Sequence, residues 1–221
     1  MIVYPMRWPS RQKERNPQIV EDLRPSYKLF IDLDSDFRNK GALDGTGCLI
    51  FDNKNKKIFC ALSERCDEQL ATHLTKKINK IIPECFKLVM FQMFDQKGRV
   101  VYHTNVGFGI LSNHVVLCVE AIHKEDRQRV IDELTSKELC THSYQLIDIS
   151  FEDMNGFCGN VICLDKGDNV KIVLMSERAR KCFSANNLKI LETNYQIVSS
   201  DVSKIEEIAG GGARCMVAEL F

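Results

Sequence analysis

The sequence predicts an α/β fold assembled from repeated modules, each consisting of a β-hairpin followed by a helix. A Ser-Glu-Arg triplet occurs at residues 63–65 and again at residues 176–178, and each triplet follows two short apolar segments separated by a polar turn. A third copy of the hairpin pattern lies between them. Self-similarity of this kind is the sequence signature of a fold built by packing repeated units together.

The first module is predicted from two apolar strands and an amphipathic helix. Strands at residues 47–52 and 57–62 flank a polar turn at residues 53–56. A helix is predicted to follow from Ser63, because its hydroxyl is a suitable N-cap, and to end at Pro83. Apolar residues at a spacing of four give this helix one buried stripe, formed by Cys66, Leu70, Leu74 and Ile78.

The other two modules repeat the pattern. Their strands are predicted at residues 109–111 and 115–119 in the middle copy and at residues 159–164 and 171–175 in the last. In the middle copy a helix is predicted over residues 124–139, with Val130, Ile131 and Leu134 facing inward. In the last copy Ser176 is predicted to cap the helix, as Ser63 does in the first.

A module of roughly 50–60 residues cannot bury its own apolar face, so the copies must pack against one another. Residues 1–221 are therefore predicted to form a single domain. Residues 210–221 are predicted to contain the first strand of a further copy. Residues 1–6 have the pattern of a strand interior, so we expect a missing upstream piece and an exposed apolar patch. Such a patch favours a homo-oligomer or a complementing subunit.

Composition excludes several classes of protein. The chain has 30 Lys and Arg and 30 Asp and Glu residues, so its zero net charge gives no reason to expect nucleic-acid or membrane binding. The N-terminus lacks a signal-peptide pattern, and the apolar run at residues 115–119 is too short to span a bilayer. We expect a cytoplasmic protein. Its ten cysteines include no C-x-x-C pair, so mostly buried free thiols are expected rather than disulfides or zinc ligands.

Four glycine-containing segments carry residues that could perform chemistry, because glycine lets the backbone approach a ligand closely. A thiol, an imidazole and a carboxylate can together form a nucleophilic triad. Each segment also has a purely structural interpretation, as a buried side chain, a turn or a hinge. The residues in these segments are Asp44 before Gly45, His103 before Thr104, Asn160 after Gly159, and Cys215 after the glycines at 210–212.

Taken in this order, the segments resemble the guanidino-group-modifying enzymes, and most closely the branch of amidinotransferases, dimethylarginine dimethylaminohydrolases and citrulline-utilisation hydrolases. The matching segments are residues 3–6, 43–47, 61–65, 102–106, 118–122, 159–160 and 211–219. The resemblance implies the pentein fold, an α/β propeller of ββαβ modules around a central cleft. Family members carry a further module upstream, so the propeller is expected to be incomplete at its N-terminal side.

The resemblance also implies a reaction, the hydrolysis of a C–N bond in arginine-like linear amidines to give ureido products of arginine and citrulline metabolism. It implies Cys215 as nucleophile, His103 as general acid and base, and Asp44 as acidic partner, at a position where the family usually has the longer glutamate. Asn105 and Asn160 are candidates for binding the small-molecule guanidino substrate or for structural roles at strand ends. No metal or organic cofactor is implied. The alternatives are amidino transfer to an amine and an inactive binding or scaffold module.

Overall fold

Short strands and helices alternate along the chain in the computed structural model, which describes residues 1–38, 40–83 and 85–219. The strands are β1 (Ile2–Val3), β2 (Ile31–Asp32), β3 (Leu49–Asp52), β4 (Lys57–Ala61), β5 (Lys87–Phe91), β6 (Phe108–Ile110), β7 (His114–Leu117), β8 (Gln145–Asp148), β9 (Ile162–Gly167), β10 (Val170–Ser176) and β11 (Gln196–Ser200). The helices are α1 (Pro9–Gln12), α2 (Pro17–Leu23), α3 (Leu33–Phe37), α4 (Glu68–Ile81), α5 (Lys124–Thr135), α6 (Phe151–Asn155), α7 (Glu177–Cys182), α8 (Ala185–Asn194) and α9 (Ser203–Ala209). Within these described ranges, no helix is both long and apolar enough to cross a membrane.

The structure confirms the predicted modules. Strand β3 pairs antiparallel with β4, and α4 carries the chain across so that β5 pairs in parallel with β4. Strands β6, β7 and β8 around α5 repeat this order, as do β9, β10 and β11 around α7 and α8. Strands β1 and β2 form a further parallel pair, and α1 and α2 lie between them in the chain. A helical crossover is the usual way to join parallel neighbours, so each module is a ββαβ unit.

Helix α4 begins later than the sequence predicted. The side chain of Asp67, not that of Ser63, caps the helix by accepting a hydrogen bond from the Leu70 amide at 2.9 Å. Ser63 and Cys66 instead exchange two backbone hydrogen bonds, and this tight turn delays the helix. The prediction of Ser63 as N-cap was therefore wrong. Leu70 and Leu74 are buried as predicted, because they lie on the inner face of α4.

The helices of the other modules begin where the sequence predicted. Ser176 caps α7 by accepting a hydrogen bond from the Ala179 amide at 3.1 Å. That helix ends at Cys182, and a second cap at Ser184 starts α8, so the predicted single helix is two helices. Helix α5 starts at the predicted residue, and Leu134 on its inner face is buried.

The two ends of the chain differ from the prediction. Residues 1–6 are buried or half-buried rather than exposed, because Ile2 and Tyr4 pack against the apolar cluster of the first module. Residues 213–216 form a turn of 3-10 helix, and residues 217–219 are not a strand. The Arg214 guanidinium donates a hydrogen bond to the Val217 carbonyl at 3.3 Å. In a strand, this carbonyl would instead accept from the backbone of a neighbouring strand. The last two residues of the predicted strand lie outside the described residues.

The first strand of each module lies towards the centre of the fold. Strand β6 contacts β3 on one side and β9 on the other. Together with β1, these three strands line a cavity of about 970 Å³. Asp44, Asn105 and Arg214 line the same cavity. The segments that lead into the inner strands therefore meet beside one space, and this convergence positions the candidate site.

Candidate active site

Three of the four candidate segments lead into the inner strands of successive modules, and the fourth, which carries Cys215, forms a turn of 3-10 helix. Because the modules share one topology, their lead-in segments converge even though they are far apart in the sequence. Asp44 precedes the 3-10 turn before β3, His103 precedes the 3-10 turn before β6, Asn160 comes just before β9, and Cys215 lies in the 3-10 turn at residues 213–216.

The imidazole of His103 is held by a buried carboxylate. Its Nε2 lies 3.2 Å from Oδ2 of Asp44, whose side chain is 1% exposed. The other carboxylate oxygen of Asp44 accepts a hydrogen bond from the Arg7 amide at 3.0 Å. An Nη of Arg65 lies 3.9 Å from Oδ2. Aspartate therefore reaches the histidine despite being shorter than the glutamate usual in the family, and it is itself fixed in place.

Gly47 lets the imidazole ring of His103 lie close to the backbone. A Cβ built on Gly47 would stand 2.8 Å from Nδ1 and 2.9 Å from Cε1 of His103, which is closer than real Cβ contacts. On another side, the ring of Tyr102 lies with its centroid 4.9 Å from that of His103. The orientation of the imidazole is thus set by a carboxylate, an aromatic ring and an unobstructed glycine.

Replacing Gly47 with alanine is expected to push the His103 ring away from Asp44 and lower kcat by about 10- to 100-fold, since small displacements of catalytic groups are costly. The melting temperature should change little, because the ring can move towards the cleft. Steady-state kinetics and thermal unfolding monitored by circular dichroism measure the two effects. A Gly47→Ala variant with an unchanged kcat would contradict this account of the histidine's position.

The cysteines follow the prediction that most are buried free thiols. Six of the ten are buried and two are half-buried, whereas Cys85 and Cys215 are exposed. The two half-buried cysteines are Cys163 and Cys182. Cys215 is thus an accessible sulfur close to the converging segments, as a nucleophile requires.

Two asparagine amides point at the sulfur of Cys215. Nδ2 of Asn160 donates to Sγ at 3.2 Å, and Nδ2 of Asn105 donates to it at 3.6 Å. Asn160 also donates to the Asn105 carbonyl at 3.1 Å and accepts from the Arg214 amide at 3.0 Å. Both N–H donors of its amide are therefore used within the protein. The structure brings together Cys215, Asn105 and Asn160, three of the residues predicted from the sequence.

The sulfur and the imidazole lie in one neighbourhood without a direct hydrogen bond between them among the described residues. Asn105 contacts the sulfur and follows His103 by two residues on the same segment. Tyr102 lies beside the imidazole, and its hydroxyl donates to the Gly210 carbonyl at 2.8 Å. Burial raises the pKa of Tyr102, and the nearby Cys215 raises it further. Tyr102 thus contacts both the imidazole and the glycine segment that leads to Cys215.

Sequence reasoning assigned no role to Arg65 and Tyr102, which complete the surroundings of the pair. The Arg65 guanidinium lies 4.6 Å from the centre of the Tyr102 ring. The backbone carbonyl of Arg65 accepts a hydrogen bond from the Asp44 amide at 3.0 Å. Their places in the sequence could have identified them, because Arg65 ends the repeated Ser-Glu-Arg triplet and Tyr102 directly precedes His103. A cation stacked on an aromatic ring is stabilising and orients both groups.

Comparisons with known proteins agree with the fold. The sequence model of the family described as N,N dimethylarginine dimethylhydrolase, eukaryotic, matches residues 1–221. The structure of ArgZ, an arginine dihydrolase of cyanobacteria, superposes with a TM-score of 0.73 at 18% identity, covering 100% of this chain and 30% of that one. The substrate-bound N-terminal domain of ArgZ gives 0.73 at 17% identity, covering 99% of this chain and 70% of that one.

A dimethylarginine dimethylaminohydrolase from Pseudomonas aeruginosa, complexed with citrulline, is also similar. It superposes with a TM-score of 0.62 at 17% identity, covering 96% of this chain and 67% of that one. No curated protein sequence matches the chain. At these identities the structural likeness shows the fold, which is the pentein-type α/β fold expected from the sequence. The chain spans only 30% of full-length ArgZ.

Proposed function

Because this chain belongs to the N,N dimethylarginine dimethylhydrolase family, we propose that it is a cysteine-dependent hydrolase of arginine-like guanidines. ArgZ is an arginine dihydrolase, and the Pseudomonas aeruginosa relative is a dimethylarginine dimethylaminohydrolase. Arginine and its N-methylated derivatives are therefore the substrates to test first. The carbon attacked would be the central guanidino carbon, and the products would be a ureido compound and ammonia or an amine.

One observation carries the proposal, namely that the exposed sulfur of Cys215 contacts Asn105, which lies two residues from an imidazole bound by a buried carboxylate. The His103–Asp44 distance of 3.2 Å is that of a hydrogen bond, so the carboxylate can orient the ring. A sulfur that accepts two amide hydrogen bonds is better able to carry negative charge. A thiolate nucleophile and a separate proton donor are what C–N bond cleavage in a guanidinium needs.

The reaction would proceed in two steps. The Cys215 thiolate attacks the guanidino carbon, His103 gives its proton to the departing nitrogen, and the C–N bond breaks to release the amine. An amidino-thioether remains on the sulfur. Neutral His103 then takes a proton from water as the oxygen attacks the same carbon. The C–S bond breaks, the thiolate is restored, and the second proton of the water passes through solvent to the released amine, which becomes an ammonium ion.

In this proposal the two asparagines act on the nucleophile. The amide of Asn160 has used its donors on Cys215 and on a backbone carbonyl, so it positions the sulfur rather than binding substrate. Asn105 makes longer contacts with the sulfur, at 3.6 Å and 3.9 Å, and it lines the central cavity. It can therefore turn towards a ligand in the cavity while remaining next to the nucleophile.

Replacing Asn160 with alanine is expected to slow alkylation of Cys215 by iodoacetamide by about tenfold at fixed pH. The loss of a hydrogen bond to a charged group is worth about 1.5 kcal/mol or more. Peptide mapping by mass spectrometry measures the rate at Cys215, and the rate at exposed Cys85 in the same sample is the control. An unchanged Cys215 rate would show that the amide does not support the thiolate.

The activity is tested with a panel of arginine, methylated arginines and related guanidines, with colorimetric detection of the ureido product. Product formed from water alone supports the hydrolase. Product that appears only with an added acceptor amine would show amidino transfer instead. If a correctly folded sample yields no product across the panel, the hydrolase proposal is wrong and the inactive binding module is favoured.

Association of the chain with itself or with a complementing subunit stays a prediction, as does its location in the cytoplasm. Light scattering after size-exclusion chromatography measures the first. The solvent-facing apolar side chains Trp8, Ile19 and Ile208 are 39%, 54% and 88% exposed and provide surface for such contacts. A monomer over the whole accessible concentration range would contradict the predicted self-association.

A further inference from the structure

A second cluster of chemically reactive side chains lies in the third module, outside the proposed active site. Asp153 comes from α6, Cys158 from the turn that follows it, and Cys182 from the last position of α7. One ligand atom from each, a carboxylate oxygen and two sulfurs, lies within 4.8 Å of the other two. In the described part of the chain, this is the group of three such side chains that meets this distance.

We propose that Asp153, Cys158 and Cys182 form a binding site for a thiophilic divalent cation such as Zn²⁺. Zinc binds thiolate at about 2.3 Å and carboxylate oxygen at about 2.0–2.2 Å, with tetrahedral geometry. Two sulfurs on one zinc are then about 3.8 Å apart, so the cluster needs only small movements to close on the ion. Two sulfur ligands select zinc or a similar soft ion over calcium and magnesium, which take oxygen ligands.

The surrounding backbone holds two of the three ligands in place. Asp153 belongs to a capping box in which its Oδ2 accepts from the Ser150 amide at 3.0 Å, so its other oxygen can face the ion. Cys182 packs directly on Gly156, where an added Cβ would stand 2.2 Å from its sulfur. Side chains already fixed in this way lose little freedom when a metal binds.

The exposure of the three residues suits a four-coordinate site with three protein ligands and one water. Cys158 is fully buried and Asp153 nearly so, at 0% and 9% exposure, whereas Cys182 is half-buried and open to solvent on one side. An ion can therefore enter past Cys182, and each thiol loses its proton to solvent as it binds. Cys158 precedes Asn160 by two residues, so a bound ion would also steady the segment that contacts Cys215.

The inference does not depend on the proposed hydrolysis, and its test uses cobalt as a spectroscopic probe. Co²⁺ is titrated into the full chain, kept reduced with a phosphine, and thiolate-to-cobalt charge transfer is followed by absorption. Zn²⁺ is then added to displace it. We expect one equivalent of Co²⁺ to bind with a charge-transfer band and to be displaced by one equivalent of Zn²⁺, because Zn²⁺ binds such ligands more tightly.

Variants separate this site from the other thiols. Cys182→Ser and Asp153→Asn should each weaken binding, with the charge-transfer band reduced in Cys182→Ser. Gly156→Ala keeps all three ligands but displaces Cys182, and it should weaken binding by about 10- to 100-fold, as other supporting positions of metal sites do. Cys163→Ser, at another half-buried thiol, and Cys215→Ser should bind like the unaltered protein.

Two results would overturn the proposal. The first is the absence of a charge-transfer band in the unaltered protein, or binding of unaltered strength in Asp153→Asn protein whose circular dichroism shows a native fold. The second is a band that is lost in Cys215→Ser and kept in Cys182→Ser, which would place the ion at the proposed nucleophile. Circular dichroism on every variant keeps a folding defect from being read as lost binding.

Discussion

Replacing Cys215 with serine is expected to abolish turnover, lowering kcat by about 10³-fold or more. A serine hydroxyl is a far weaker nucleophile than a thiolate, and no other exposed sulfur lies among the converging segments described above. Because residue 215 is exposed, the exchange should change the free energy of unfolding by less than about 0.5 kcal/mol. The ureido-product assay and urea unfolding measure the two quantities.

Cys85→Ser is the matched control, because Cys85 is the other exposed cysteine. It should retain full activity. Rapid alkylation of Cys215 that is slowed by arginine would add independent support, since a substrate in the cleft covers the sulfur. A Cys215→Ser variant that still forms product, or alkylation of Cys215 no faster than that of Cys85, would contradict its role as nucleophile.

Replacing His103 with alanine is expected to lower kcat by about 10²–10⁴-fold, the usual effect of losing a general acid and base. The leaving nitrogen would then depart without a proton, and water would attack without a base. The variant also leaves Asp44 without its imidazole partner, although the Arg7 amide still binds this carboxylate. Steady-state kinetics with the best substrate of the panel measure the loss.

Added imidazole provides the discriminating measurement for His103. Small imidazole can occupy the vacated space beside Asp44 and Gly47, so it should restore part of the activity of His103→Ala and none of that of Cys215→Ser. His73→Ala is the control, since His73 is exposed on α4 and packs against Phe37. If His73→Ala loses as much activity as His103→Ala, the assignment of His103 is wrong.

The location of the candidate residues explains why a modular fold can build such a site. Asp44 and His103 each precede the 3-10 turn that leads into the first strand of their module, whereas Cys215 lies within the 3-10 turn at residues 213–216. Backbone hydrogen bonds within these segments, such as that from the Val106 amide to the His103 carbonyl, hold the turns.

Local sequence determined the modules and most of their boundaries. The polar turn between β3 and β4, the apolar stripe of α4 and the cap at Ser176 are set by residues close together in the chain, so pattern and capping chemistry predict them. Ser63 shows the limit of this reasoning. Its hydroxyl suits a helix cap, yet a backbone turn with Cys66 and a hydrogen bond to the Tyr102 carbonyl take it out of the helix.

The sequence alone determined the repeated ββαβ architecture and the identities of Cys215, His103 and Asp44 as candidates, because short motifs and residue chemistry are local. Only the tertiary structure decided which groups meet. The reach of Asp44 to the imidazole, the turning of Asn160 towards sulfur and the grouping of Asp153, Cys158 and Cys182 depend on packing between segments that are distant in the chain. Such distances follow from how modules pack against one another, and no local pattern encodes them.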